Sequence, residues 1–370
     1  MTGEKIKVLV VDDSVASRRA ITTALESSPA IAVVGSASNG ADGLQQALVL
    51  SPDVVTVDLA MPEMDGFTFI RMLMARRPTP IVVLSSYGER ENVFRALDLG
   101  AFDFIVKPSG AEAGRGFDDV RDQLVQKVLT AQLLNRDRLK RPFSVPTPPP
   151  SPAPVLGRSA RKVAAEVRAA VAPARFVAIG ASTGGPNAIQ ELLTKLPEEL
   201  PIAVVVAQHM PERFTRVFAE RLNKRSAFTV VEAKDGDRIL QGTALIAPGG
   251  RHVVVEPDGL GRPIVRTPAR RTADRYAPSV DRLFTSGAAT FKDRMMAIVL
   301  TGMGNDGAEG VRVVAAAGGV VVAESAESAV IFGMPKEAID TGVVHAVLPI
   351  SAQMAKIEEF ANRGAVAVKK

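Results

Sequence analysis

Short apolar runs alternate along the chain with longer segments of helical period. Ahead of residue 140 the runs are KVLVV (7–11), AVVGSA (32–37), DVVTV (53–57), IVVLS (81–85) and DFIV (103–106). They are rich in β-branched residues and lack apolar–polar alternation. Such strands are buried on both faces, as in a parallel sheet covered by helices. Helical patterns lie between and after them, over 15–27, 40–50, 67–76, 90–99 and 117–138. Five βα units predict a flavodoxin-like domain with a five-stranded parallel sheet.

The same rhythm resumes after residue 175, in FVAIG (176–180), IAVVVAQ (202–208), TVVEA (229–233), TALIAPG (243–249), HVVVE (252–256), MMAIVLTG (295–302), GGVVVAE (318–324) and VVHAVL (343–348). Helical segments are expected over 186–196, 212–224, 278–290, 307–316, 334–341 and 352–362. This predicts a second doubly wound, mostly parallel α/β domain, with a hairpin-like middle at 229–256. Between the two, residues 141–174 contain 8 of the 25 prolines. Proline at that density removes amide donors and favours extended backbone, so the stretch reads as a semi-rigid spacer, with a short helix possible over 159–172. The expected organisation is therefore a domain at 1–140, a Pro/Ala-rich linker at 141–174 and a second domain at 175–363.

Composition narrows the classes. Apolar residues make up 46% and charged residues 23%, a globular balance. No apolar run is long enough to span a membrane, and the acidic turn after the first strand is unlike a signal peptide. Cys is absent, which excludes disulfides and thiolate metal sites. A cytoplasmic protein is the expectation. The net charge of +5 suggests nucleic acid, but Arg141, Arg158, Arg161, Lys162 and Arg168 against Glu166 place most of it in the linker. Two Tyr and no Trp leave little for base stacking, so no nucleic-acid partner is expected.

Ligands of a parallel sheet collect beyond the carboxyl ends of its strands. In the first domain those positions hold Asp12 and Asp13, then Asp58, Ser85 and Lys107 followed by Pro108. Clustered carboxylates repel unless a cation lies between them, and a hard divalent ion, Mg²⁺ above all, suits an all-oxygen set. Asp58 could then take a phosphoryl group as an acyl phosphate, with the metal and Lys107 neutralising its oxygens. Any one of these residues alone reads as a solvated loop residue; five at matching strand ends read as a site.

In the second domain, IGASTGG (179–185) leaves several readings open. A dinucleotide loop lacks its middle glycine, because position 182 is Ser. A P-loop lacks the lysine before its helix. A plain close-packing turn remains possible. The fourth reading is a nucleophile: Gly180–Gly184 fits G-x-S-x-G, a sharp strand-to-helix turn that exposes a serine. Among the three His, His209 directly follows a strand, whereas His252 and His345 read as structural. Asp306, in LTGMGNDG (300–307), stands at another strand's carboxyl end. Ser182, His209 and Asp306 thus obey one topological rule, as an acyl-transfer triad in the order Ser, His, Asp.

Residues 1–135 resemble a response-regulator receiver through VVDDS (10–14), VTVDLAMPEMDG (55–66), VLSS (83–86) and DFIVKP (103–108). The resemblance implies Asp58 as phosphoacceptor, Asp12 and Asp13 as the Mg²⁺-holding pair, Ser85 and Phe104 as switch residues, Lys107 as the phosphate sensor, and a histidine kinase as phosphodonor. GASTGGPNAI (180–189), AQHMPERFTRVFAERLN (207–223), IAPGGRH (246–252), PSVDRLF (278–284), LTGMGNDGAEG (300–310) and FGMPKEAI (332–339) resemble the catalytic domain of the chemotaxis methylesterases, the CheB family. That implies Ser182, His209 and Asp306 as triad, Met303 in the oxyanion hole through its amide, and Thr183 as an aid to orienting the histidine. It implies demethylation of glutamyl methyl esters, and deamidation of glutamines, on chemoreceptor helices, with no cofactor for the esterase. It also implies an unphosphorylated receiver that restricts the site. The segment 257–277 and the linker match the family pattern less well. Alternative outputs are a receiver-controlled adaptor without catalysis, a DNA-binding output, or a role in a signalling array other than chemotaxis.

Overall fold

The computed structural model describes residues 4–86, 90–107, 118–131, 134 and 171–363. They fall into two compact units, divided at Val145/Pro146. Residues 141–170 of the expected linker, most of its expected helix, Pro108, and residues 117, 132, 133 and 135–138 of the expected fifth helix lie outside the described residues.

In the first unit the elements are β1 (Ile6–Val11), α1 (Val15–Glu26), β2 (Ile31–Ala37), α2 (Gly40–Leu50), β3 (Val54–Asp58), α3 (Gly66–Arg76), β4 (Ile81–Ser85), α4 (Arg90–Asp98), β5 (Asp103–Val106) and α5 (Asp118–Thr130). The strand order is β2-β1-β3-β4-β5, and all pairs are parallel. These apolar, β-branched-rich runs without alternation leave every residue of β3, β4 and β5 buried. Polar residues start three of the helices: the Ser14, Asn39 and Asp65 side chains accept from the amides of Ser17, Asp42 and Thr68. From β1 the chain moves outward to β2, then returns to β3 on the other side. The crevice at this reversal lies between Asp12 and Asp58.

In the second unit the elements are β6 (Arg175–Ala181), α6 (Gly185–Leu193), β7 (Ile202–Gln208), α7 (Phe214–Asn223), β8 (Thr229–Glu232), β9 (Thr243–Ile246), β10 (Val254–Pro257), β11 (Pro263–Arg266), α8 (Val280–Phe291), β12 (Met295–Val299), α9 (Ala308–Ala316), β13 (Val320–Glu324), α10 (Met334–Asp340), β14 (Ala346–Leu348) and α11 (Ile350–Asn362). Seven strands form one sheet in the order β14-β13-β12-β6-β7-β9-β8, and every pair is parallel. Its reversal lies between β6 and β12, the kind of point at which parallel sheets gather their ligands.

The expected hairpin at 229–256 is displaced. β8 and β9 pair in parallel within the main sheet, and the antiparallel hairpin is β10 with β11, apart from that sheet. The hairpin turn is fixed by Asp258, whose Oδ1 accepts from Leu260 and Arg262 amides, and by Gly261 at φ +75°. β11 escapes a pattern search because it opens on Pro263 and closes on Arg266. The expected strands over 243–249 and 295–302 stop at Ile246 and Val299, where glycine-bearing turns begin.

Helix α8 packs tightly under β6. A side chain at Gly180 would lie 2.2 Å from Val280 Cγ1. Phe176 and Phe291 stack at 4.5 Å, and both are essentially fully buried. This contact sets the N-terminus of α8 beside the carboxyl end of β6.

Candidate functional site

In the first unit, one carboxylate oxygen from each of Asp12, Asp13 and Asp58 lies within 4.8 Å of the others. Lys107 Nζ reaches Asp12 Oδ2 at 2.8 Å and Asp58 Oδ2 at 2.9 Å. Asp12 is fully buried and is held by the Ser14 amide (3.0 Å) and Ser17 Oγ (2.8 Å). Asp58 Oδ1 accepts from the Leu59 amide at 2.8 Å. Burial pushes the Asp58 carboxyl above its usual range, and Asp12 adds to this against the opposing Lys107 ammonium. Burial alone would lower Lys107; Asp12 and Asp58 outweigh it and hold the ammonium above its usual value. The arrangement is an all-oxygen pocket with more negative charge than one lysine balances, which fits a hard divalent cation. Ser85 is fully buried at the end of β4, and Phe104 is buried on β5 with its ring 6.0 Å from Lys127 Nζ.

In the second unit, the register sets Ala181 of β6 opposite Gln208 of β7, so Ser182 and His209 leave neighbouring strands side by side. The His209 amide donates to the Ala181 carbonyl at 3.0 Å, and the Ser182 amide to the Thr301 carbonyl at 3.0 Å. Gln208 Nε2 ties the two turns together by donating to the carbonyls of Ser182 (2.9 Å) and His209 (3.0 Å). A side chain at Gly185 would lie 2.0 Å from Gln208 Oε1, so glycine is required for this brace.

His209 Nε2 lies 2.8 Å from Asp306 Oδ2. Asp306 is 3% exposed and also accepts from the amides of Val280 (2.8 Å) and Asp281 (3.0 Å) and from Ser279 Oγ (3.1 Å). These groups are the N-terminus of α8, a natural anion cradle. Burial by itself would raise the Asp306 carboxyl; its bonds to His209 and to these amides prevail and keep it below its usual range. Asp281 returns the favour by accepting from the Gly307 (2.9 Å) and Gly310 (2.7 Å) amides at the start of α9. Burial first, and Asp306 second among the raising causes, push the Asp281 carboxyl up.

Histidine and aspartate are thus brought into contact across 97 residues of chain. Among the described residues no hydrogen bond joins Ser182 Oγ to His209. Thr183 is half-buried and joined through its carbonyl to Thr301 Oγ1 at 2.9 Å. Met303 is 37% exposed on the turn after β12. That turn is pinned by the Gly302 carbonyl, which accepts from the Gly333 (3.1 Å) and Met334 (2.8 Å) amides. His252 and His345 lie in structural contacts: His252 is fully buried with Nε2 at 2.8 Å from Asp274 Oδ2, and His345 Nδ1 accepts from the Val321 amide at 3.1 Å.

Sequence reasoning did not find Tyr276, whose ring lies parallel to His209 with centroids 4.8 Å apart and planes 4° apart. Nor did it find Gln208, Ser279 or Asp281. Gln208, Ser279 and Asp281 stand within the motifs AQHMPERFTRVFAERLN (207–223) and PSVDRLF (278–284), but neither motif reveals what those side chains face.

The family model for the CheB methylesterase matches residues 177–357, and that for the response regulator receiver domain matches residues 8–115. The chain is 49% identical over 360 residues to protein-glutamate methylesterase/protein-glutamine glutaminase 6 of Anaeromyxobacter dehalogenans, covering 96% of each chain. It is 48% identical over 345 residues to protein-glutamate methylesterase/protein-glutamine glutaminase 1 of Myxococcus xanthus, covering 93% of this chain and 94% of that one. Among solved structures, the CheB methylesterase catalytic domain of Thermotoga maritima is 38% identical, with a TM-score of 0.49 over 51% of this chain and 99% of that one.

Proposed function

The chain belongs to the CheB methylesterase family, with a receiver domain at its N-terminus, and from that membership we propose how its residues divide the work. It is a receiver-regulated protein-glutamate methylesterase/protein-glutamine glutaminase of chemotaxis adaptation. Residues 1–140 are read as the receiver, 141–174 as the linker and 175–363 as the catalytic domain. The substrates are glutamyl methyl esters, and glutamines, on the cytoplasmic helices of chemoreceptors. The protein works in the cytoplasm. Among the described residues no helix is long and apolar enough to cross a membrane.

Ser182 Oγ attacks the ester carbonyl. His209 takes the hydroxyl proton on Nδ1, because Nε2 faces Asp306. The tetrahedral oxygen takes its stabilisation from the Met303 amide. His209 then gives the proton to departing methanol, leaving Ser182 acylated. Water, deprotonated by His209, releases the glutamate and restores the serine. With glutamine, ammonia departs instead. Thr183 helps orient the imidazole. The serine–histidine hydrogen bond forms with substrate in place, as such bonds tighten in the reacting complex.

In the receiver, Asp58 accepts the phosphoryl group from a histidine kinase, and Asp12, Asp13 and Asp58 would hold Mg²⁺. A divalent ion held there would supply positive charge to offset that of the phosphoryl oxygens. Lys107 holds the phosphorylated carboxylate, and Ser85 and Phe104 report its state to the output.

The observation that carries the reading is the part-buried 2.8 Å contact between His209 Nε2 and Asp306 Oδ2, one strand away from Ser182. Its test is methanol release from receptor membranes methylated beforehand, with and without a small phosphodonor. Wild-type protein should release methanol faster with the phosphodonor. Ser182→Ala should release none while keeping the wild-type melting temperature. Full activity in that variant would remove Ser182 from the mechanism.

A further inference from the structure

The segment 257–277 is rich in arginine, and the mechanism above uses none of it. Seven arginines lie between residues 251 and 282. Four are engaged in holding the fold. Arg262 pairs with Asp258 at 2.7 Å, and Arg266 pairs with Glu256 at 2.9 Å and Asp235 at 3.2 Å. Arg282 pairs with Asp274, and Arg251 donates to the Thr267 carbonyl. The other three, Arg270, Arg271 and Arg275, are exposed and have no carboxylate partner among the described residues. Arg270 donates only to the Asp274 carbonyl, at 3.1 Å.

These three sit on a loop that is firmly built. Asp274 Oδ2 accepts from the Arg271 amide at 2.7 Å and from the buried His252 at 2.8 Å. The Thr267 amide donates to Asp235 Oδ1 at 2.9 Å. At its far end the loop lays Tyr276 on His209, and the Arg275 guanidinium lies 5.1 Å from the centroid of that same ring. One aromatic ring therefore contacts both the imidazole and a cation that no carboxylate balances among the described residues. Three like charges within six residues, none paired with a carboxylate among the described residues, repel one another. An external anionic partner would relieve them.

We propose that Arg270, Arg271 and Arg275 form a docking rim that ion-pairs with carboxylates flanking the glutamyl ester on an acidic segment of the protein substrate. The inference rests on the methylesterase reading. A substrate methylated on some glutamates presents its unmodified glutamates beside them, so charge complementarity selects the occupant. Guanidinium forks suit carboxylates in this role. Rim charges act through encounter and salt dependence more than through the chemical step.

The test compares full-length phosphorylated wild type with an Arg270→Glu/Arg271→Glu double variant and with Arg275→Ala. Two substrates are used: methylated receptor membranes and a small neutral ester, p-nitrophenyl acetate. For the double variant, receptor kcat/KM divided by neutral-ester kcat/KM should fall about tenfold, through KM, and the wild type's loss of receptor activity with added salt should flatten. Arg275→Ala should move the same ratio in the same direction. An unchanged ratio with unchanged salt dependence would overturn the rim. Equal loss on both substrates would also overturn it, by showing the loop to be only structural. No hydrolysis of either substrate by wild type would strike the esterase reading itself, and the rim with it.

Discussion

His209 presents Nε2 to Asp306 Oδ2 at 2.8 Å, and the same carboxylate is held by the first amides of α8. An imidazole N–H donates to a carboxylate, so neutral His209 carries its proton on Nε2 and leaves Nδ1 as the proposed base. Asp306→Asn should lower kcat about 10⁴-fold, by allowing the wrong tautomer. Methanol release per phosphonate-titratable serine measures this. Histidine nitrogen NMR of the wild type should find the protonated nitrogen to be Nε2; an Nδ1-protonated ring would contradict the assignment.

The turn after β12 tolerates no side chain at Gly302. A Cβ there would lie 2.8 Å from Ser182 Cβ, 3.0 Å from its amide nitrogen and 2.5 Å from Met334 Sδ. Methionine can swing aside, but the Ser182 backbone is anchored to Thr301. Gly302→Ala should therefore displace Ser182, the proposed nucleophile, and lower kcat about 100-fold. Steady-state kinetics with the neutral ester checks it, and a kcat within twofold of wild type would count against the geometry.

Acid should weaken the catalytic unit through Asp306. Its folded carboxyl sits below the usual range, so the unfolded chain binds that proton more readily. The resulting stability is fully present above the unfolded pKa, about 3.9, and is lost as pH falls through the lower folded value. Thermal melts of a fragment spanning 175–363 should show the wild type's advantage over Asp306→Asn at pH 6 disappearing below pH 3.

In the receiver the sign reverses. Burial raises the Asp58 carboxyl, so its ionisation at neutral pH opposes folding when no cation is bound. Asp58→Asn should therefore raise the receiver's melting temperature in the presence of a chelator. Added Mg²⁺ should narrow or invert that difference, because the ion rewards the carboxylate. The same variant should abolish stimulation of methanol release by a phosphodonor.

Receiver control should be separable from the chemistry. A fragment lacking residues 1–174 should hydrolyse methylated receptors faster than the unphosphorylated full chain and no longer respond to a phosphodonor. Equal or slower hydrolysis would argue that the receiver activates by some means other than relief of inhibition.

The chain alone determined that one parallel and one mostly parallel sheet form and which residues stand at their rims. β-branched runs without alternation mark strands covered on both faces, and the residue after each run must lie at a carboxyl end. Asp12, Asp58, Ser182, His209 and Asp306 were legible for that reason. Strand order, and every contact that depends on it, was decided only in three dimensions. The pairing of His209 with Asp306 relies on β12 returning beside β6, and on α8 packing against Gly180 so that its amides reach the carboxylate. Tyr276 arrives over His209 because a loop after the β10–β11 hairpin is clamped by His252, Asp274 and Arg282. The periodicity of side chains is a local property and is written along the sequence. Which distant turns become neighbours is set by how whole elements pack, and no local window contains that.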